Sequence, residues 1–129
     1  MVEVLKIEGT PKTPEVVLDP TAGKLMLKGR SIPENSIEFY KPLIDWIDSY
    51  RETALDHTEI FIKLEYFNTS SSKCILDVFK KLENVKQDGK EVVVKWYYEC
   101  DDEDMLEAGE DYEAILDLPF EMIEMEEMS

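Results

Sequence analysis

The chain has a single histidine, two cysteines and no basic residue beyond Lys95, and these shortages narrow what its 129 residues can do. His57 lies between Asp56 and Thr58. No other imidazole exists to support nucleophilic or metal chemistry, so a turn or surface role is expected for it. Cys74 and Cys100 stand far apart with no CxxC spacing. They are expected to be two buried thiols in a reducing cytosol, neither a disulfide nor a zinc site. No apolar run approaches the ~20 residues that span a bilayer. The start, Met1-Val2-Glu3-Val4-Leu5-Lys6, has no basic leader followed by a hydrophobic stretch, so no signal peptide is expected and the protein is assigned to the cytoplasm. GxGxxG, GxxxxGK[ST] and GxSxG are all absent, which leaves nucleotide cradles and hydrolase elbows without support. The residues single out no catalytic group and no cofactor; the chain is expected not to be an enzyme.

Basic residues are missing from one end in particular. Residues 1–98 hold 16 acidic and 14 basic side chains, a net of −2, whereas residues 99–129 hold 14 acidic and none basic, a net of −14. Such a surface repels phosphate backbones and anionic lipid heads, so neither nucleic acid nor membrane is expected as a partner. The run Asp101-Asp102-Glu103-Asp104 has the charge to attract a divalent cation. An EF-hand loop starting at Asp101 needs Gly at its sixth position, where this chain has Leu106. Acids are also favoured in the first turn of a helix. A solvated helix start is therefore expected there, with no metal; a small metal-binding protein using this acidic region is the alternative in another class.

Apolar residues make up 43% of the chain, enough for a packed core without a disulfide or metal staple. With no internal repeat or dividing linker, residues 1–129 are expected to form one domain. Residues 2–8, 15–18 and 23–29 read as three short strands in a meander. Phe39/Tyr40, Leu43/Ile44, Ile47 and Tyr50 recur at helical spacing, with Pro42 tolerated near the first turn. Residues 59–67 alternate as a strand, central because its second face carries Phe61 and Phe67. A helix then places Ile75, Val78/Phe79, Leu82 and Val85 on one face. Val92 to Tyr98 is a β-prone run, 101–116 an acidic helix and 118–123 a last strand. The order βββ-α-β-α-β-α-β predicts an α/β sandwich: a mixed sheet with about three helices.

Four consecutive hydroxyls, Thr69 to Ser72, fall where a strand hands over to a helix. Capping explains one, since a side-chain oxygen there accepts from a first-turn N–H for ~1 kcal/mol. The others are poor helix formers. Free N–H groups and the positive dipole end also make a helix start a good seat for phosphate, and phosphothreonine could be held there with the fold intact.

Tyr66-Phe67-Asn68-Thr69-Ser70-Ser71 resembles the signature of the SiaC family of regulatory phosphoproteins. So do Thr13-Pro14, Pro33-Glu34-Asn35-Ser36, Ile44-Asp45-Trp46, Trp96 and Leu118-Pro119-Phe120, in the same order over nearly the whole chain. The resemblance implies a STAS-like fold, similar to that of SpoIIAA-type anti-sigma factor antagonists, and a phosphate on Thr69 within the motif Asn68, Ser70 and Ser71. It further implies a partner switch in a bacterium. A GHKL-type serine/threonine kinase adds the phosphate, a PP2C-type phosphatase removes it, and the unmodified form binds and activates a diguanylate cyclase, setting cyclic di-GMP and biofilm behaviour. An anti-sigma factor antagonist with a different output is the alternative. Pro33, Glu34, Asn35 and Ser36 are expected on the partner surface, against simple helix capping.

Overall fold

Three antiparallel strands open the chain: β1 (Leu5–Ile7), β2 (Glu15–Asp19) and β3 (Lys24–Ser31). The computed structural model describes residues 2–126. At the β2–β3 hairpin, Asp19 accepts hydrogen bonds from the N–H and hydroxyl of Thr21, at 2.9 and 2.7 Å. Gly23 comes next at φ 65°, a conformation that costs glycine nothing. Then come α1 (Ser36–Tyr50), β4 (His57–Phe67), α2 (Thr69–Gln87), β5 (Glu91–Glu99), α3 (Glu103–Ile115) and β6 (Phe120–Met125), with a short 3-10 turn at Arg51–Thr53. The element order is the expected one.

The six strands lie side by side in chain order. The β3–β4, β4–β5 and β5–β6 pairs are parallel, each joined through one helix. Three crossovers of the same hand, each stepping one strand onward, put every helix on one face. Burial agrees. Leu18, Leu25, Ile60 and Val94 are in register across four strands and fully buried. They share one core with Tyr40, Leu43 and Ile47 of α1, Val78 and Phe79 of α2, and Met105 and Tyr112 of α3. The adjacent row, Val17, Met26, Phe61 and Lys95, lies half-buried on the uncovered face.

Several local expectations change. Helix α1 begins at Ser36, so Pro42 falls in its second turn; its exposed ring faces water, which can bond the carbonyl left without an N–H. Cys74 is buried, but Cys100 is exposed in the turn after β5. Phe67 does not share a face with Phe61. Gly29 pairs with Leu64 but Arg30 pairs with Tyr66, so Glu65 is an extra residue in β4. A bulge of this kind reverses the alternation beyond it.

Helix α3 sits close to the sheet because of one residue. A Cβ at Gly109 would lie 2.6 Å from Trp96 Cδ1. The Trp96 indole N–H donates to Met105 O at 2.9 Å. Met105 and Tyr112 are buried beside it, whereas Ile115 of the same helix is 66% exposed.

Candidate phosphorylation site

The bulge at Glu65 sets the direction of the next two side chains. It leaves Tyr66 half exposed and turns Phe67 toward the helices, where its ring meets Trp96 edge-on at 6.1 Å. Asn68 is extended (φ −84°, ψ 174°) and caps α2, its Oδ1 accepting from Ser71 N at 2.9 Å. Its own N–H donates to Ser31 O at 3.1 Å, tying the start of α2 to the end of β3. The cap is thus Asn68 and none of the four hydroxyls. The first-turn N–H groups of Thr69 and Ser70 keep no intrahelical acceptor.

Three of the hydroxyls are committed elsewhere. Ser71 is buried; its hydroxyl donates to Ser31 O at 3.0 Å and accepts from Ser31 Oγ at 2.9 Å. Ser31 Oγ also meets Tyr40 OH at 2.6 Å, and burial holds the Tyr40 phenol above its usual range. Ser70 Oγ donates to Asn68 Oδ1 at 3.2 Å and lies 2.8 Å from Ser36 Oγ, which joins the first turns of α1 and α2. Ser72 Oγ is 3.0 Å from Tyr112 OH, which donates to Ser72 O at 2.8 Å and so fastens α3 to α2. Burial pushes the Tyr112 phenol up to about 12.

Thr69 is left over. It is exposed, and among the described residues its hydroxyl has no hydrogen-bond partner. Lys73 stands one helical turn onward, and Arg30 is paired across the strands with Tyr66; neither is in an ion pair among the described residues. An anion on Thr69 would meet two unused N–H groups and the positive ends of two neighbouring helices.

The segment Pro33–Ser36 divides. Glu34 and Asn35 are exposed and Pro33 is half-buried. Asn35 caps α1, its Oδ1 accepting from Glu38 N at 3.1 Å. Ser36 is only 5% exposed and bonded to Ser70. Its side chain, expected on the partner surface, is turned inward and braces the Asn68–Ser72 turn. The supporting roles of Ser31, Tyr40 and Tyr112 are not evident in the sequence. Two tyrosines on otherwise apolar helix faces are the available signal, since a buried phenol needs a partner.

Other candidates fall outside this cluster. His57 is at the opposite end of β4, exposed, with Nδ1 3.0 Å from Glu91 Oε2. Asp102 caps α3 by accepting from Met105 N at 3.0 Å, with Glu103 and Asp104 in the first turn. Among the described residues, no three His, Cys, Asp or Glu side chains gather as metal ligands would. No helix there is long and apolar enough to cross a membrane.

Residues 7–125 match the SiaC family of regulatory phosphoproteins. The chain belongs to that family. An uncharacterised protein of Pseudomonas aeruginosa strain UCBPP-PA14 is 35% identical to it over 116 residues, covering 90% of this chain and 92% of the relative. SiaC of Pseudomonas aeruginosa in complex with the diguanylate cyclase SiaD, whose activator it is, superposes with a TM-score of 0.88 at 34% identity, over 94% of this chain and 99% of that one. A further structure of SiaC of Pseudomonas aeruginosa gives 0.86 at 33%, over 95% and 98%. The STAS-like α/β reading of this SiaC-family chain thus stands, at identities where fold and family go together.

Proposed function

We propose that this chain is a non-catalytic partner switch working in the bacterial cytoplasm and set by reversible phosphorylation of Thr69. A GHKL-type serine/threonine kinase adds the phosphate and a PP2C-type phosphatase removes it. The unmodified form binds and activates a diguanylate cyclase, raising cyclic di-GMP. The observation that carries this reading is the sorting of the four hydroxyls: three are spent inside the fold, and Thr69 alone is exposed and uncommitted. The family supports it, and so does the activator role of the similar SiaC toward SiaD.

The switch needs no change of fold. Phosphate adds about −1.5 to −2 charges where a partner would otherwise make a desolvated contact. An uncompensated charge in an interface costs several kcal/mol, and each ~1.4 kcal/mol is a tenfold loss of affinity. Asn68, Ser70 and Ser71 hold the acceptor turn in place, while Pro33, Glu34 and Asn35 lie at the neighbouring helix start and extend the partner face. Thr69→Ala is expected to fold, bind the cyclase and activate it. Thr69→Glu is expected to fold as well, with binding weaker by about tenfold or more. Equal activation by the two variants rejects the reading.

A further inference from the structure

Near Thr69 a groove runs along α3, with Ser72 and Lys73 in its lining. It consists of two cavities, of about 260 and 420 Å³, that meet at Phe67 and Ala108. The first lies between Leu76 of α2 and Tyr112 and Ile115 of α3; the second lies between Tyr66 of β4 and Met105 of α3. From Asp104 to Ile115 the α3 wall is about 16 Å long at ~1.5 Å per residue. Tyr66 (51% exposed) and Ile115 (66%) are among the few large apolar side chains that the described residues leave exposed, and both line it.

The rim has one sign. Glu65, Asp102, Asp104 and Asp111 stand along it, none of them in an ion pair among the described residues, against the single cation Lys73. The floor offers no strand edge, because β4 and β5 are each paired on both sides. With no strand edge to extend, the groove suits a helix, whose backbone bonds are satisfied internally and whose apolar face can lie in it. Apolar floor, acidic rim and a length of three turns together specify its chemistry.

We propose that this groove receives a basic amphipathic helix of about three turns from a partner protein, and holds it more firmly when Thr69 carries phosphate. The second half rests on Thr69 being the modified residue. Lys73, one turn from Thr69, is the groove's only charge of the same sign as the incoming helix; a phosphate at Thr69 offsets it and adds to the acidic rim. The effect is opposite to that on the output partner. The helix therefore belongs to a protein that favours the phosphorylated form over the unmodified one.

The full chain is titrated into a labelled 14-residue Leu/Lys peptide whose leucines form one helical stripe, and into a scrambled peptide of the same composition, followed by fluorescence anisotropy at about 0.15 M salt. The ordered peptide is expected to bind about tenfold more tightly than the scrambled one. Ile115→Lys is expected to lose about tenfold, and Val4→Lys, the same charge change on an exposed apolar residue beside the far strand edge, less than about threefold. Thr69→Glu is expected to bind the ordered peptide about twofold more tightly. Equal binding of both peptides, equal losses from the two lysine variants, or unchanged or weaker binding by Thr69→Glu overturns the proposal. A Thr69→Glu chain that still activates the cyclase rejects the partner switch instead, so the two failures are separable.

Discussion

Within the Asn68–Ser72 turn, side chains of similar chemistry have different duties, and the difference is measurable. Ser71 has no exposure, and its hydroxyl both donates and accepts. Ser71→Ala removes that oxygen and leaves Ser31 O one donor short inside the fold. A loss of about 1–2 kcal/mol is expected, seen as a lower denaturation midpoint with an unchanged slope. Asn68→Ala strips the cap and should cost about 1 kcal/mol by the same measurement. Thr69→Ala touches no intramolecular bond and should leave the midpoint within about 0.5 kcal/mol. The position of Thr69 at a helix start is legible in the sequence, because a polar run interrupts alternation before a helical period begins. Which hydroxyl stays free is not. That depends on Ser31 and Ser36, some 40 and 34 residues away from Ser71 and Ser70, brought close only by parallel pairing of β3 and β4.

Elements meet their expectations where periodicity is strong and depart from them where a single residue shifts it. The alternation of β4 is plain up to Leu64, yet the extra residue Glu65 turns Phe67 onto Trp96, and no local pattern announces such a bulge. Helix α3 carries few apolar residues, and its seat depends on an absence of side chain at Gly109. Gly109→Ala should therefore destabilise the protein although alanine is the better helix former, by about 1–3 kcal/mol for overpacking against the gain of up to ~1 from propensity. The new methyl would stand 2.6 Å from Trp96 Cδ1, so α3 must lift or the indole must turn. A loss of tryptophan near-UV signal together with a lower melting temperature checks this. A stabilised variant would mean that α3 is seated too loosely on Trp96 for the missing side chain to matter.

Across the whole molecule, charge and burial set the response to pH. Burial raises the phenols of both Tyr40 and Tyr112, the latter to about 12. In the unfolded chain they titrate at about 10. Below pH ~10 both states keep the protons and the stability is whole; between about 10 and 12 the unfolded state loses them first, so stability falls as pH rises. Tyr112→Phe should flatten that loss while lowering stability at neutral pH, since Ser72 O forfeits its donor. Equilibrium unfolding at stepped alkaline pH distinguishes the two effects. The global architecture is readable from the order of elements, because consecutive crossovers of one hand leave little freedom in a mixed sheet. The groove along α3 is not, since it is made by Phe67 and Ile115, one reversed by a bulge and the other left outside the core.

The switch itself is tested most simply by calorimetric titration of a diguanylate cyclase with the unmodified chain and with the same chain carrying phosphothreonine at position 69. The unmodified form is expected to bind, and the phosphorylated one to bind with an affinity lower by about tenfold or more, roughly 1.4 kcal/mol. Equal affinities, or tighter binding of the phosphorylated chain, would refute phosphate control of the docking face.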